Sequence, residues 1–376
     1  MTLNPKDFYQ MLIDSKVSFF TGVPDSLLKD FCAYVTDNTS ADSHVIAANE
    51  GNAIGVASGH YMATGNPALV YMQNSGLGNC VNPLTSLTDK RAYSIPMLLV
   101  VGWRGEPGRK DEPQHKKKGE ITPGLLNVLG IPYAILPESE EEAQKAINAA
   151  VAHMKKQHEP YALLVRKGTF ESYTLQNVVA SAYEMTREDA VKLVVGSLED
   201  DVVIVSTTGK ASRELFEHRV AGDEGHQRDF LTIGSMGHSS SIAFGIALAK
   251  KDRLVYCLDG DGAMIMHMGA LSVIGQHAPA NFKHIVFNNE AHDSVGGQPT
   301  AGSDLDIPAI AKANGYTKTL VASTKQELVS MLQELQKVKG PALLEIKVKK
   351  GARKDLGRPT KTPLENKKAF MEYLSK

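Results

Sequence analysis

The stretch from Leu254 to Asn289 constrains the fold of this chain more than any other. It begins with a short apolar run, passes through a Gly-Asp-Gly turn at 260–262, and ends with a second apolar run before an Asn-Asn pair. Short apolar runs separated by a helix-length segment predict two parallel strands joined by a helix. Since ligands of open α/β sheets bind at the carboxyl ends of the strands, Asp261 and Asn289 should face one crevice.

The groups at this edge suit a metal-bound diphosphate. Carboxylate, amide and carbonyl oxygens are the hard ligands that Mg²⁺ prefers. The two glycines of the turn let backbone N–H groups approach phosphate oxygens, and the helix after Gly262 directs its positive end to the same place. The residues alone therefore predict a magnesium-diphosphate site.

Length and composition indicate an ordinary soluble protein with two to three domains. Of its 376 residues, 42% are hydrophobic and 22% are charged. A formal net charge of −1 gives no global attraction to nucleic acid or to an anionic membrane. No apolar run approaches the roughly 20 residues of a membrane helix, and the first residues lack a signal-peptide pattern. Three scattered cysteines without metal-type spacing predict buried, reduced thiols in a cytoplasmic protein.

The chain reads as two similar halves of alternating strands and helices. This alternation predicts an α/β fold with two parallel-sheet domains that carry helices on both faces. A polar stretch near 168–187 separates the halves. We place the domains at residues 1–176 and 188–350, with a basic C-terminal tail at residues 351–376.

Each half contains a helix with small residues at every fourth position. Gly51, Gly55 and Gly59 form this pattern in the first half, and the segment 237–249 repeats it in the second. Glycine inside a helix costs about 1 kcal/mol relative to alanine, so a packing or functional reason is expected. We predict that these smooth faces pack together, within a chain or between chains.

Three strand ends of the first half deliver polar candidates. Asp25 follows the strand near 17–20 and either caps the next helix or acts as an acid at a strand end. Glu50 either stabilises a helix N-terminus or is catalytic. Asn74 and Ser75 lie in a glycine-rich loop where a substrate would be met.

A long polar segment, Gly102 to Gly119, predicts a loop, and loops of this length are usually functional or disordered. Its cations are either a solvated charge run or the counter-charge of a multiply anionic substrate; they include Arg104, Arg109, His115 and Lys116. The same alternatives hold for Arg353 and Arg358 in the tail. His292, in the loop after the Asn-Asn pair, is either functional or inert.

In this order the pieces resemble the thiamine-diphosphate-dependent decarboxylases over nearly the whole chain. The segments GVPDS, ANEGNAIGVASGHYMATG and NSGLGN are similar to the pyrimidine-binding (PYR) domain of that family. The segments TTG, GSMGHSSSIAFGIALA and GDG to NN are similar to its diphosphate-binding (PP) domain. The details RGEPGRKDEPQH, RELFE, NNEAHDSVGGQ and DLGRP resemble the phosphonopyruvate decarboxylases, with the sulfopyruvate decarboxylases next. The third domain of larger relatives has no room here.

The resemblance implies thiamine diphosphate and Mg²⁺ as cofactors and assigns residues to both. The metal ligands would be Asp261, Asn289 and the carbonyl of Ala291. The residues implied around the cofactor are Thr208, Gly209, Gly234, Ser235, Met236, Gly260, Gly262 and Ala263. Within this set, Met236 would hold the cofactor in a bent form and the Gly234 carbonyl would accept a hydrogen bond from its amino group.

For the chemistry, the resemblance implies that Glu50 hydrogen-bonds the N1′ nitrogen of the pyrimidine ring. Asp25, Asn74 and Ser75 become candidates for proton transfer and substrate contact. The implied activity is the non-oxidative decarboxylation of 3-phosphonopyruvate to phosphonoacetaldehyde and CO2, a step of phosphonate biosynthesis. The substrate would be a small anionic 2-oxo acid, and the chain would self-associate with its active site at the subunit interface.

Other activities compete with this interpretation. A sulfopyruvate decarboxylase or an acetolactate-synthase-like carboligase would share every cofactor residue. A nicotinamide-dependent dehydrogenase fits poorly, because Ile265 occupies the third glycine position of GxGxxG and no ribose-binding acid follows. A serine hydrolase would need a closing glycine that Gly237-His-Ser-Ser-Ser lacks. A subunit that binds the cofactor but is catalytically silent would not need the Glu50 carboxylate.

Overall fold

A computed structural model of the protein describes residues 2–178 and 180–376, and the chain divides into two compact units. The first unit comprises Met1–Val178 together with Val295–Gln298. The second comprises Val179–Ser294 together with Pro299–Lys376. Residue 1, where the first predicted domain begins, lies outside the described residues.

The first unit is built on one six-stranded parallel sheet. Its strands are β1 (Phe20–Gly22), β2 (His44–Ile46), β3 (Ala68–Gln73), β4 (Met97–Gly102), β5 (Tyr133–Ile135) and β6 (Tyr161–Val165). Its helices are α1 (Pro5–Asp14), α2 (Lys29–Asn38), α3 (Glu50–Thr64), α4 (Leu77–Pro83), α5 (Pro113–Val128) and α6 (Glu140–Gln157). The strands lie in the order β2-β1-β3-β4-β6-β5, and neighbouring strands pair in parallel.

The second unit repeats this architecture. Its strands are β7 (Val203–Ser206), β8 (Asp229–Leu231), β9 (Val255–Gly260), β10 (Phe282–Asn288), β11 (Lys318–Ala322) and β12 (Ala342–Lys347). Its helices are α7 (Arg187–Gly196), α8 (Lys210–Ala221), α9 (Ser239–Ala249), α10 (Asp261–Met266), α11 (Ala270–His277), α12 (Ile307–Ala313), α13 (Lys325–Lys337) and α14 (Pro363–Leu374). The order β8-β7-β9-β10-β12-β11 matches that of the first sheet strand for strand.

The burial of the central strands shows that both sheets are covered on both faces. Every residue of β4 and β10 is buried, and β3 and β9 are buried except at their last residues. Strands buried on both faces read as continuous apolar runs, which is the pattern that predicted them. The α/β prediction is confirmed, and the three cysteines are free and buried as expected.

The strand order reverses at the same place in each sheet. In the first unit this point lies between β1 and β3, and in the second it lies between β7 and β9. Ligands of doubly wound sheets bind at the carboxyl ends of the strands beside such a point. Asp25 and Asn74 follow the first pair of strands, while Thr208 and Asp261 follow the second.

The predicted loop from Gly102 to Gly119 is wrong in its second part, because α5 begins at Pro113. Glu112 has extended backbone angles, and proline suits the first position of a helix since its missing N–H would be unsatisfied there. The polar residues that follow lack an apolar periodicity, which is why the helix was not foreseen. Trp103 fixes it in place by donating an Nε1–H bond to the Gly119 carbonyl at 2.9 Å.

The small-residue helices make close contacts at some of their glycines and none at others. A Cβ atom at Gly51 would lie 2.9 Å from the carbonyl oxygen of Asn79. At Gly55, Gly59 and Gly245, nothing in the described parts of the chain lies within 4 Å of such an atom. At Gly237 a Cβ atom would lie 2.6 Å from the His267 Cδ2 and 2.9 Å from the Ala263 carbonyl oxygen. Close packing therefore explains the first glycine of each pattern, and the exposed remainder of each face is open to another surface.

The C-terminal segment is built into the second unit. Asn366 of α14 donates to the Asp229 carbonyl at 2.7 Å and accepts from the Leu231 amide at 3.0 Å, so the helix is tied to β8. Phe370 is buried in the same core. Among the helices of the described residues, none has the length and apolar character needed to cross a membrane.

Candidate active site

Glu50 is a buried carboxylate whose position is tightly defined. It is the first residue of α3 and is 5% exposed. The Asn79 side chain donates to its Oε2 at 2.7 Å, whereas Oε1 makes no hydrogen bond within the part of the chain that the structure describes. A Cβ at Gly76 would lie 2.4 Å from the Glu50 Cγ, so only glycine lets the loop after β3 approach this closely. One oxygen of the carboxylate is thus held and the other is available.

Asp25 is a second buried carboxylate at the same edge of the first sheet, and it is 1% exposed. Its Oδ2 accepts the Leu27 backbone N–H at 2.9 Å, which closes a local turn. The capping residue of α2 is Leu28, so Asp25 does not cap that helix. Burial raises the pKa of Asp25, and the Leu27 N–H and the charge of Arg104 oppose this rise. A carboxyl group with a raised pKa is suited to carry a proton.

Gly102, the last residue of β4, makes room for Asp25. A Cβ at this position would lie 2.1 Å from the Asp25 Oδ2. We expect Gly102→Ala to lower the free energy of unfolding by about 1–3 kcal/mol, because the buried carboxylate or the strand must shift. Gly124→Ala, in α5, is the matched control: nothing lies within 4 Å of its added Cβ, and it should stabilise by up to about 1 kcal/mol. Urea denaturation measures the free energy of unfolding of both variants. Equal values would contradict the close approach of Gly102 to the Asp25 carboxylate.

Asn74 connects three elements at this edge. Its Nδ2 donates to the Arg104 carbonyl at 2.8 Å and to the Thr122 hydroxyl of α5 at 2.9 Å. Its Oδ1 accepts the Arg104 N–H at 3.3 Å. The amide therefore positions the chain after β4, which the sequence did not indicate. Ser75, next along the chain, accepts a hydrogen bond from the Gln73 side chain at 2.5 Å.

The arginines of the segment after β4 are already paired. Arg104 makes two hydrogen bonds to Asp111, at 2.8 and 2.5 Å, and donates to the Ser26 hydroxyl at 2.7 Å. Burial disfavours the charged form of Asp111, but the Arg104 side chain and two backbone N–H groups outweigh it and hold the pKa of this carboxyl well below its usual range. Arg109 pairs with Glu106 at 3.0 Å. Their carboxylate partners largely neutralise these two cations.

His115 and Lys116 occupy the first turn of α5, where one is buried and the other exposed. Burial, together with the charge of Arg104, lowers the pKa of His115 to about 4. Its Nδ1 is buried without a hydrogen-bond partner among the described residues. His115 is therefore a neutral side chain at neutral pH, and the sequence-based assignment of a cation to this position is not supported by its environment.

In the second unit, Asp261 begins α10 directly after β9 and is 3% exposed. The Thr300 hydroxyl donates to its Oδ2. Burial raises the pKa of Asp261 to about 6, against the hydrogen bond from Thr300. A Cβ at Gly302 would lie 2.6 Å from the same Oδ2, so the loop after the second strand end closes tightly on the carboxylate.

The two residues of the Asn-Asn pair have different roles. Asn288 is buried and donates from its Nδ2 to the Gly302 carbonyl and to Glu345, both at 2.7 Å. Asn289 donates to Asp293 at 2.7 Å, and its Oδ1 accepts the Ala291 N–H at 3.3 Å. The first asparagine therefore holds the loop, and the second keeps an amide oxygen near the Ala291 backbone.

The loop after β10 is fixed from several sides. Asp293 accepts hydrogen bonds from the Gly351 backbone N–H at 3.2 and 3.0 Å and pairs with Arg187 at 3.3 Å. A Cβ at Gly262 would lie 3.2 Å from the His292 Cε1, so this histidine packs on the glycine turn. Burial lowers the pKa of His292 to about 4, which makes the ring neutral. The sequence offered no signal for Thr300, because its partner Asp261 lies 39 residues away along the chain. The bonds from Arg187 and Gly351 to Asp293 were hidden for the same reason.

The segments after β7 and β8 carry polar groups that could contact a ligand. Gly209 has φ 101° and ψ −139°, a conformation that other residues rarely adopt. The neighbouring Thr207 hydroxyl is buried and has no hydrogen-bond partner in the described part of the chain. The segment from β8 to α9 carries Gly234, Ser235 and Met236, and Met236 is half-buried.

Together these features of the second unit fit a metal-bound diphosphate. The oxygen donors Asp261, Asn289 and Ala291 follow two adjacent strands, β9 and β10. A buried carboxylate of raised pKa is costly in isolation, and a cation would relieve that cost. The unpartnered Thr207 hydroxyl and the absence of any described atom within 4 Å of a Cβ at Gly260 leave room for a polar ligand.

Arg353, in the C-terminal tail, is a poor candidate for substrate contact. Arg353 pairs with Glu188 and Asp355, each at 3.1 Å, and with Glu217. Three carboxylates therefore surround one guanidinium group. Arg358 lies a few residues further on, before α14.

Comparison with known proteins assigns each half of the chain to a domain family. Residues 208–346 match the family described as thiamine pyrophosphate enzyme, C-terminal TPP binding domain, and residues 6–125 match its N-terminal TPP binding domain. A phosphonopyruvate decarboxylase of Streptomyces viridochromogenes is 34% identical over 374 residues, covering 96% of this chain and 92% of that protein. One of Streptomyces hygroscopicus is 31% identical, covering 99% and 94%. A sulfopyruvate decarboxylase of Methanosarcina acetivorans is 25% identical, covering 99% and 98%.

Identity above 30% along almost the full length of both proteins extends beyond the cofactor motifs. The matched length includes the chain on both sides of the GDG and NN signatures. The chain belongs to the family of thiamine pyrophosphate-dependent decarboxylases that includes the phosphonopyruvate decarboxylases.

Proposed function

We propose that the protein catalyses the thiamine-diphosphate- and Mg²⁺-dependent, non-oxidative decarboxylation of 3-phosphonopyruvate to phosphonoacetaldehyde and CO2, a step of phosphonate biosynthesis. The observation that carries this proposal is the Glu50 carboxylate, which Asn79 and Gly76 fix with one oxygen free. A buried acid held in this way has no need of a helix-capping role, since Asn49 already caps α3.

The residues of the second unit would hold the metal and the diphosphate. Asp261, Asn289 and the Ala291 carbonyl would bind Mg²⁺. Backbone groups of the two glycine-containing turns would meet the phosphates, namely those of Thr208, Gly209, Gly260, Gly262 and Ala263. Gly234, Ser235 and Met236 would contact the rest of the cofactor. When bound, thiamine diphosphate supplies the electron-accepting ring that lets the substrate carboxylate leave as CO2.

In the first unit, Glu50 would hold a proton between its Oε1 and the N1′ nitrogen of the pyrimidine. The Asn79 bond to Oε2 keeps the carboxylate in the orientation that this proton requires. Asp25, buried and of raised pKa, is the group that we assign to proton transfer toward the substrate. Asn74 and Ser75 would line the site beside Asp25. Asn74 also holds the Arg104 backbone in place.

We also propose that the protein is cytoplasmic and self-associates, with the active site at the interface between copies. The exposed small-residue faces around Gly55, Gly59 and Gly245 support this, because no described residue packs on them. Light scattering on the purified protein would measure the oligomeric state, and a monomer at micromolar concentration would count against the proposal.

The activity is tested by incubating the protein with thiamine diphosphate, Mg²⁺ and 3-phosphonopyruvate, and following the products by phosphorus NMR. Sulfopyruvate and pyruvate serve as parallel substrates. We expect phosphonoacetaldehyde to form much faster than either other product. Faster turnover of sulfopyruvate would assign the sulfonate reaction, and a product that has joined two substrate carbons would indicate a carboligase.

A further inference from the structure

Helix α5 places one lysine that the proposed mechanism leaves unused, Lys118, at the edge of the sheet where Glu50 lies. The Lys118 carbonyl accepts a hydrogen bond from the Thr122 hydroxyl at 2.6 Å. That hydroxyl accepts from Asn74 at 2.9 Å, and Asn74 begins the turn whose Gly76 packs on Glu50. The first turns of α5 are therefore tied to the loop that encloses the carboxylate.

The surroundings of the Lys118 side chain point toward an anion that is not part of the chain. Lys118 is half-buried, and burial lowers the pKa of its ammonium, while the negative charge of Glu50 raises it. Within residues 2–178 and 180–376, this ammonium forms no ion pair and no hydrogen bond. Removing a charge from water without a partner is unfavourable, so a bound anion would stabilise it.

The neighbouring cations are either paired with a carboxylate or exposed to solvent. Arg104 is paired with Asp111, Arg109 with Glu106, and Lys117 with Glu120 at 3.5 Å. Lys116 lies on the exposed side of the helix. Lys118 alone among these five residues combines partial burial with an unpaired charge.

We propose that Lys118 binds the phosphonate group of the substrate and thereby determines specificity, an inference that rests on the proposed function. The phosphonate keeps its charge throughout the reaction, whereas the carboxylate loses its charge as CO2 departs. A cation on the carboxylate would stabilise the ground state and slow its loss, while a cation on the phosphonate contributes to binding at every stage. With about three negative charges near neutrality, the substrate requires such a partner.

Lys118→Met tests this assignment, since methionine keeps most of the length of the unbranched side chain and removes the charge. We expect the KM for 3-phosphonopyruvate to rise about tenfold or more, with kcat/KM for pyruvate changed far less, because pyruvate has no phosphonate. Lys118→Arg should recover part of the loss. Lys117→Met is the matched control, because that side chain is 80% exposed and paired with Glu120, and it should leave both substrates unaffected.

A binding measurement separates this inference from the proposed function. Calorimetry on the cofactor-loaded protein would compare phosphonoacetate with malonate, which replaces the phosphonate by a carboxylate. Lys118→Met should weaken phosphonoacetate about tenfold more than malonate. Equal weakening would show that Lys118 does not distinguish a phosphonate from a carboxylate, and unchanged binding with a lower kcat would mean that it acts through Glu50 alone; either result overturns the assignment.

Wild-type protein that binds phosphonoacetate but does not convert 3-phosphonopyruvate would overturn the proposed function and leave the Lys118 comparison intact. Wild-type protein that does not bind phosphonoacetate at all would overturn the Lys118 assignment. The two failures are therefore distinguishable in one set of titrations.

Discussion

Glu50→Gln should reduce turnover by about 10²–10⁴-fold while cofactor affinity stays near that of the wild type. Glutamine has the same shape and still accepts the Asn79 hydrogen bond at 2.7 Å, so the local structure is preserved. What the variant loses is the ability of Oε1 to share a proton with a ring nitrogen. Steady-state kinetics with 3-phosphonopyruvate give the turnover, and calorimetric titration of thiamine diphosphate in excess Mg²⁺ gives the affinity.

The control for this result is Asn79→Ala, which removes the hydrogen bond to Oε2 and keeps the acid. It should lower turnover less than Glu50→Gln, because a hydrogen bond to a charged group contributes about 1.5–3 kcal/mol. If Glu50→Gln were as active as the wild type, Glu50 would have no catalytic role, and its burial beneath Gly76 would be purely structural. A loss of cofactor binding in Glu50→Gln would instead assign Glu50 to binding.

Much of the fold could be predicted because its strands carry local signals. Val202 to Val205 and Ile285 to Phe287 are short continuous apolar runs, as is typical of strands that are buried on both faces. The short edge strand β5 (Tyr133–Ile135) was missed because it is half-buried and has only three residues. Helix α5 was missed for a related reason: its first turns are charged, and tertiary contacts such as Trp103 to Gly119 hold them.

The candidate site was predictable at the level of motifs but not of partners. Asp261 and Glu50 stand in glycine-rich contexts that a sequence displays directly. Whether a cation is free or neutralised depends on residues that are distant or unremarkable in sequence. Asp111 neutralises Arg104, and Glu188 and Glu217 neutralise Arg353, so the arginines that composition favoured as counter-charges are occupied. Only the folded structure shows that Lys118 differs from Lys117.

Asp261→Ala should abolish the Mg²⁺ dependence of cofactor binding and weaken thiamine diphosphate by at least about 100-fold. The reason is the charge: Asp261 is the only carboxylate in the proposed donor set, and Asn289 and the Ala291 carbonyl are neutral. Calorimetric titrations of the cofactor with and without Mg²⁺ measure this directly. Thr300→Val, which removes only the hydroxyl that donates to Asp261, should retain Mg²⁺ dependence with a smaller loss of affinity.

Stability measurements provide a second readout for Asp261. Burial raises its pKa from 3.8 to about 6. Because the folded protein then binds the proton more tightly than the unfolded chain, the metal-free protein should lose stability as pH rises through this window. Asp261→Asn removes that loss, whereas cofactor and Mg²⁺ should stabilise the wild type and fail to stabilise the variant. Equal stabilisation of both proteins by Mg²⁺ and cofactor would mean that the metal binds elsewhere, since a ligand stabilises only the state to which it binds.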